Sequence, residues 1–296
     1  MRLMCLTGTS IAVLAMLAGC GNCTIPSEEE RAATIQETLL SEWDALAATE
    51  HDMADYERAA EIGAKLAEKG PEGLEPFFRI IESPEAEPME KMLAVVSLSD
   101  HIDDTHIERL LALTAPEHDS VTRGCAVKLL GTSMAPDAMF RAFELMDDDD
   151  DHVSRVATMA MLRKGIDVAL ERALDLWEDP ETPVRDRDEI ILGIPYVAAR
   201  ATQPVFEEAI CDDALGKEAR MHAIRTIGYI ATGNTLPLIE ACLEEEEDPD
   251  LRAQMEVAQE EIQEREEQGI RPVPVEAPDS VELMFTPTAP ETQDGE

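Results

Sequence analysis

Cysteines, single histidines and a run of consecutive aspartates are the residues of this chain whose types could do chemistry. The histidines, His51, His101, His106, His118, His152 and His222, form no H-x-x-x-H or H-E pair. A helical metal site needs two ligands one turn apart on one face, so no metal centre is expected from them. Asp147 to Asp151 could offer oxygens to a hard cation, but the central Gly and distal Glu of a calcium loop are not in place. The run reads instead as a solvated turn, with Asp151 capping the next helix, and Glu244 to Asp248 occupies an equivalent place later. Among the cysteines only Cys20 and Cys23 have C-x-x-C spacing, and no zinc pattern follows from the rest. Cys125, Cys211 and Cys242 fall in helical segments and are expected to be buried free thiols, although an oxidising compartment would permit disulfides. No G-x-S-x-G, P-loop or dinucleotide fingerprint occurs. The residues therefore point away from catalysis, and no cofactor and no metal are expected.

Two ladders of charge are more regular. Arg123, Arg155, Arg220 and Arg252 each stand near the start of a helical segment, where they could bind a ligand or brace neighbouring segments; bracing is the expectation. Glu144, Asp175, Glu208 and Glu240 lie 20 or 21 residues after Arg123, Arg155, Arg187 and Arg220 and are the candidate partner-binding residues. They would suit a basic segment of a partner protein if they line a concave face; otherwise they are a solvated face of an acidic protein.

The elements that position these residues recur with a period near 32. Glu87-Pro-Met-Glu-Lys91, Asp119-Ser-Val-Thr-Arg123, Asp151-His-Val-Ser-Arg155, Thr182-Pro-Val-Arg-Asp186, Gly216-Lys-Glu-Ala-Arg220 and Asp248-Pro-Asp-Leu-Arg252 begin 32, 32, 31, 34 and 32 residues apart. Asp119, Asp151, Thr182 and Asp248 are good N-caps, because their side-chain oxygens can accept from free backbone N–H groups. Pro88, Pro183 and Pro249 follow, where a missing N–H costs nothing. Each start opens an apolar helix, with Gly131 and Gly228 read as terminators. A second helix follows in each unit: Asp104 to Thr114, Asp137 to Met146, Asp167 to Trp177, Pro204 to Cys211 and Pro237 to Leu243.

A pair of short amphipathic helices cannot bury both its faces alone, so stacking of successive pairs is expected. The D-x-x-x-R start, the Ala-rich helix and the second helix resemble HEAT repeats, and most closely the short HEAT-like class known from phycobilisome lyases. The resemblance covers about residues 71 to 262, and the fourth and fifth units depart from it at Thr182 and Gly216. It implies an all-α fold, an α-solenoid with a right-handed superhelix. Iron-dependent hydroxylases built on such repeats use paired His-Glu motifs, which this chain lacks. Upstream, Ser27-Glu-Glu-Glu30 resembles a capping box opening a helix through Ala47. Further helices are expected over Asp55 to Lys69 and Gly73 to Glu82, forming an N-terminal cap over 28–70 and the lead into a repeat region over 71–267. Glu256 to Glu267 reads as a charged helix closing the stack, and the Pro-rich acidic residues 268–296 as disordered.

Cys20 has a use of its own. Arg2 precedes an apolar stretch, Ile11 to Ala18, too short to span a bilayer comfortably. It ends in Leu17-Ala18-Gly19-Cys20, which resembles the lipobox of bacterial lipoproteins at all four positions. That resemblance implies removal of residues 1–19 and a diacylglyceryl thioether on Cys20, usually with a third chain on the new amino end; residues 20–27 then form a tether. Several acyl chains hold a protein stably where one does not. Gly21, rather than Asp, implies by the same resemblance an outer-membrane address facing the periplasm, or the outer face of the plasma membrane in a single-membrane cell. An ordinary secretory signal or an uncleaved anchor is the alternative reading.

Composition agrees with these elements. Apolar residues are 44% of the chain and aromatics only 4%, so small aliphatic side chains must fill the core. The formal charge of -40 repels phosphate backbones and anionic headgroups alike, so a nucleic-acid partner and a basic membrane patch are both disfavoured. Acidity of this degree also fits adaptation to a salty medium. The expectation is a non-enzymatic, lipid-anchored envelope scaffold or adaptor that binds protein partners. A lyase or other enzyme on HEAT-like repeats, or a purely structural spacer, are the competing classes.

Overall fold

The computed structural model describes residues 28–47, 53–195 and 202–270, which contain fourteen α-helices and, among the described residues, no strand. The N-terminal cap is α1 (Glu28–Ala47) and α2 (Met53–Ala67). Then follow α3 (Pro71–Glu82), α4 (Pro88–Leu98), α5 (Asp104–Leu113), α6 (Ser120–Leu130), α7 (Pro136–Glu144) and α8 (Asp151–Arg163). The C-terminal half is α9 (Asp167–Glu178), α10 (Val184–Gly193), α11 (Gln203–Ala209), α12 (Lys217–Ile230), α13 (Leu236–Glu245) and α14 (Pro249–Glu267).

The chain is all-α and built as a stack. The first helices α2, α4, α6, α8, α10, α12 and α14 form one row, each packed on the next. The second helices α3, α5, α7, α9, α11 and α13 form another row, each packed on the first helix that follows it. This is the arrangement of an α-solenoid, in which a unit packs mainly on its neighbours. Contacts along the first row are extensive, whereas successive second helices touch sparingly outside the α5–α7 pair. The more closely spaced first helices form the inner row of the stack, and the second helices form the outer row.

Small residues make that inner spacing possible. A Cβ on Gly131 would sit 2.7 Å from the Ala160 Cβ, and one on Gly228 would sit 3.3 Å from the Ala258 Cβ. Both glycines were expected to terminate helices. Gly228 instead lies inside α12, and Gly131 caps α6 with an ordinary right-handed φ of -61°. Their missing side chains let adjacent first helices approach, which is a packing role rather than a conformational one.

The helix starts follow the predicted register with local corrections. Asp119 accepts from the Thr122 N–H at 3.0 Å, and Asp248 accepts from the Asp250 N–H at 2.9 Å. In the aspartate run the cap is Asp150, which accepts from His152 and Val153, and Asp151 is the first helical residue. Thr182 does not cap α10: it is buried, and Pro183 is the N-cap residue. Glu256 to Glu267 is not a separate closing helix but continues α14, whose Leu251, Met255, Ala258 and Ile262 are all buried. Phe140 on α7 is 52% exposed.

The core lies between the two rows in two clusters that meet at α6. Leu129 and Leu130 face the N-terminal one, with Trp43, Phe77 and Phe78, while Val127 faces the C-terminal one, with Ile190, Phe206 and Ile227. The cap is fixed by a polar contact at its centre, where Trp43 Nε1 donates to Ser97 Oγ at 3.0 Å and Ser97 Oγ donates to the Ala59 carbonyl at 3.0 Å. The expectation of free thiols fails at two positions. Cys211 and Cys242 form a disulfide with Cα atoms 5.5 Å apart, at a sequence separation of 31. That separation is one repeat, so the turn just past α11 and the body of α13 fall side by side, within the Cα range that a disulfide spans. Cys125 is the free, buried thiol among the described residues.

Candidate functional site

Arginines of the repeat answer a need common to the second helices, whose final carbonyls have no intrahelical partner. Arg123 Nε donates to the Thr114 carbonyl at 3.2 Å, Arg187 Nη2 to that of Asp179 at 3.3 Å, and Arg220 Nη2 to that of Ile210 at 3.1 Å. Arg252 donates to the carbonyls of Leu243 and Glu246. A cation at a helix C-terminus also opposes the helix dipole. Arg123 and Arg220 then reach forward to Asp148 and Glu246, acids in the turn before the next first helix. These arginines are braces across three successive segments.

The third unit breaks the pattern. The Met146 carbonyl accepts from Arg172 and from Ser154 Oγ, so Arg155 does not hold that carbonyl and braces α8 to α10 instead. Arg155 pairs with Asp186 at 3.1 Å and lines a cleft of about 350 Å³ on the inner face, spanning α4, α6, α8 and α10. The floor is apolar, made by Met89, Met92, Val121, Cys125, Val156 and Met159. Its rim carries Lys128, Arg155, Arg163 and Arg185 against Asp186 and Glu189. Four cations against two carboxylates give a locally positive patch on a chain of charge -40.

Electrostatics within the cleft are settled by burial and pairing. Burial alone would raise the Glu189 carboxyl, but Lys128 and Arg163, at 3.3 and 3.0 Å, hold it below its ordinary range. Burial, assisted by Arg155, pushes the His152 imidazole down, so it is neutral near pH 7. Burial pushes the Cys125 thiol up to about 11, leaving it a neutral apolar wall rather than a nucleophile. Arg185 makes no ion pair among the described residues. Met side chains adapt to varied partners, and the floor with its free guanidinium suits an apolar segment that carries carboxylates.

Residues singled out from sequence are placed as follows. Cys20 lies outside the described residues. Glu144, Asp175, Glu208 and Glu240 stand on α7, α9, α11 and α13, all exposed on the row of second helices. Glu144 pairs with Arg141 at 3.2 Å, Glu208 accepts from Trp177 Nε1 at 2.9 Å, and Glu240 accepts from Gln259 Nε2 at 3.2 Å. Sequence reasoning missed the inner cleft. Its signal was Met89, Met92, Val121, Val156 and Met159 recurring in the first helices without a second helix to cover them. Among the described residues no group of three or more His, Cys, Asp and Glu could hold a metal ion, and no helix is long and apolar enough to cross a membrane. No protein-family model and no curated protein matches this chain.

Proposed function

We propose that this protein is a lipid-anchored scaffold of the bacterial envelope, held through Cys20 and binding other proteins on the surface of its HEAT-like stack without catalysing a reaction. The observation that carries the binding role is the inner-face cleft, apolar in its floor and cationic in its rim. The Cys211–Cys242 disulfide supports residence in an oxidising compartment, outside the cytosol. The Leu17-Ala18-Gly19-Cys20 tetrad supports attachment by acyl chains, with Gly21 favouring the outer membrane and a periplasmic domain.

The test combines fractionation with crosslinking in cells. Wild-type chain partitions into the detergent phase, and Cys20→Ser moves it to the aqueous phase; membrane retention of that variant overturns the anchor. A photoreactive residue at Met92 captures protein partners on the inner face, and absence of any captured protein overturns the scaffold. Glu208→Lys with Glu240→Lys tests the outer acidic row separately. Loss of basic partners assigns them to that row, and unchanged capture removes it.

A further inference from the structure

The groove described above is cationic on a chain that is otherwise acidic, and a segment of complementary chemistry lies in the same polypeptide. Residues 279–285 read Asp-Ser-Val-Glu-Leu-Met-Phe, four apolar side chains with carboxylates interleaved. Elsewhere beyond Ile270 the sequence is Pro-rich, its larger apolar residues Val273 and Val275 each stand between or beside prolines, and its charge is acidic apart from Arg271. Accordingly we propose that the inner-face cleft is occupied by this chain's own C-terminal segment, with Val281, Leu283 and Phe285 on the methionine floor and Asp279 and Glu282 toward Lys128 and Arg185. The proposal rests on the cleft as a peptide-binding surface and goes beyond that reading, since a partner protein then competes with the chain's own segment for it.

Reach and direction permit it. From Ile270 to Val281 about 11 residues of extended chain cover roughly 36 Å. From α14 the row leads through α12 and α10 to α8, three steps of roughly 8–10 Å each. The first helices also end on one side of the stack. Arg265 of α14 donates to the Ala231 carbonyl just past α12 at 3.0 Å, and Glu266 accepts from Gly233 at 2.9 Å. Likewise Gly193, the last residue of α10, lies against Leu162 near the end of α8. The chain thus leaves α14 on the side where Arg163 closes α8. Tethering strengthens such a contact, because a linked segment is present at an effective concentration on the order of millimolar. A stable fit needs both halves of the match. The apolar side chains leave water on the floor, and the carboxylates meet an arginine that has no ion-pair partner among the described residues.

The experiment uses the full chain, purified from membranes in detergent, with Phe285→benzoylphenylalanine as the photoreactive position. Irradiation and peptide mapping are expected to give crosslinks within one chain to Met89, Met92 or Met159. Arg185→Glu, an exposed position that leaves the core intact, is expected to cut that yield at least about fivefold. Leu283→Asp is expected to do the same through the floor. Crosslinks only to other surfaces, crosslinks only between two chains, or an intrachain yield unchanged by both variants would each overturn the proposal. Because the purified chain is alone, those results leave partner capture in cells unaffected, and the two readings fail separately.

Discussion

Two places in the stack solve the same problem with different parts. At Ile210 the end of a second helix is held by Arg220, whose guanidinium is almost wholly buried and also engages Glu246, itself 6% exposed. At Asp179 the equivalent carbonyl is held by Arg187, which pairs with no acid among the described residues and lies instead over the Trp177 ring, 5.6 Å from its centroid. The first is a closed network of charge and hydrogen bonds, and the second is a single bond shielded by an aromatic face. The difference shows that the requirement is the capped carbonyl, while the forward acid is an addition that joins one unit to the next.

Substitution at these two positions tests that comparison with the largest expected effect. Arg220→Met leaves Glu246 buried without its cation and is expected to cost about 3–5 kcal/mol in urea unfolding. Arg187→Met removes one hydrogen bond and a cation–π contact and is expected to cost about 1 kcal/mol. Equal costs would show that the forward acid contributes nothing. Next in size is the disulfide, which closes a loop of 31 residues around the Arg220 unit. Its reduction, or Cys242→Ser, is expected to lower stability by about 2–4 kcal/mol, with faster amide exchange confined to α11–α14. Loss of protection in α4–α8 instead would show that the two ends of the stack do not act separately.

The smallest expected effect concerns Asp119, the cap that also receives Lys91. Burial opposes its ionisation, but hydrogen bonds from Thr122 and Lys91 outweigh it and bring the carboxyl to about 2, below its ordinary 3.8. A depressed folded value means that the contribution is fully present above the unfolded value and is lost as pH falls from about 4 to about 2. Asp119→Ala is therefore expected to cost about 1 kcal/mol at pH 7, with the gap to wild type narrowing near pH 2 in thermal unfolding. A gap independent of pH would assign the cost to packing alone.

Much of this architecture was legible before any coordinates, because a period near 32 is enforced by stacking and shows in helix starts, caps and prolines together. Asp119, Asp248, Pro88 and Pro249 do what their chemistry predicts. Thr182 does not, since burial won over capping, and sequence spacing carries no information on burial at a single turn. Which row faces inward was not legible, because both helices of a unit are amphipathic and the answer depends on the small residues, Gly131 and Gly228 among them, that let one row close up. For that reason the reading of Glu144, Asp175, Glu208 and Glu240 stayed conditional on which face they line, and the cleft floored by Met92 and Met159 was overlooked. The disulfide was missed for a related reason. Cys211 and Cys242 are neighbours only once the repeat is laid out as a stack, and no short-range motif announces them.

The strap between Cys211 and Cys242 has a mechanical consequence. Second helices that touch sparingly can slide apart or together at little cost, so the outer arc is compliant wherever contact alone holds it. A covalent bond across that arc fixes its length between α11 and α13. Sliding is thus restrained by a bond between α11 and α13, whereas between α3 and α9 the second helices are restrained by packing alone.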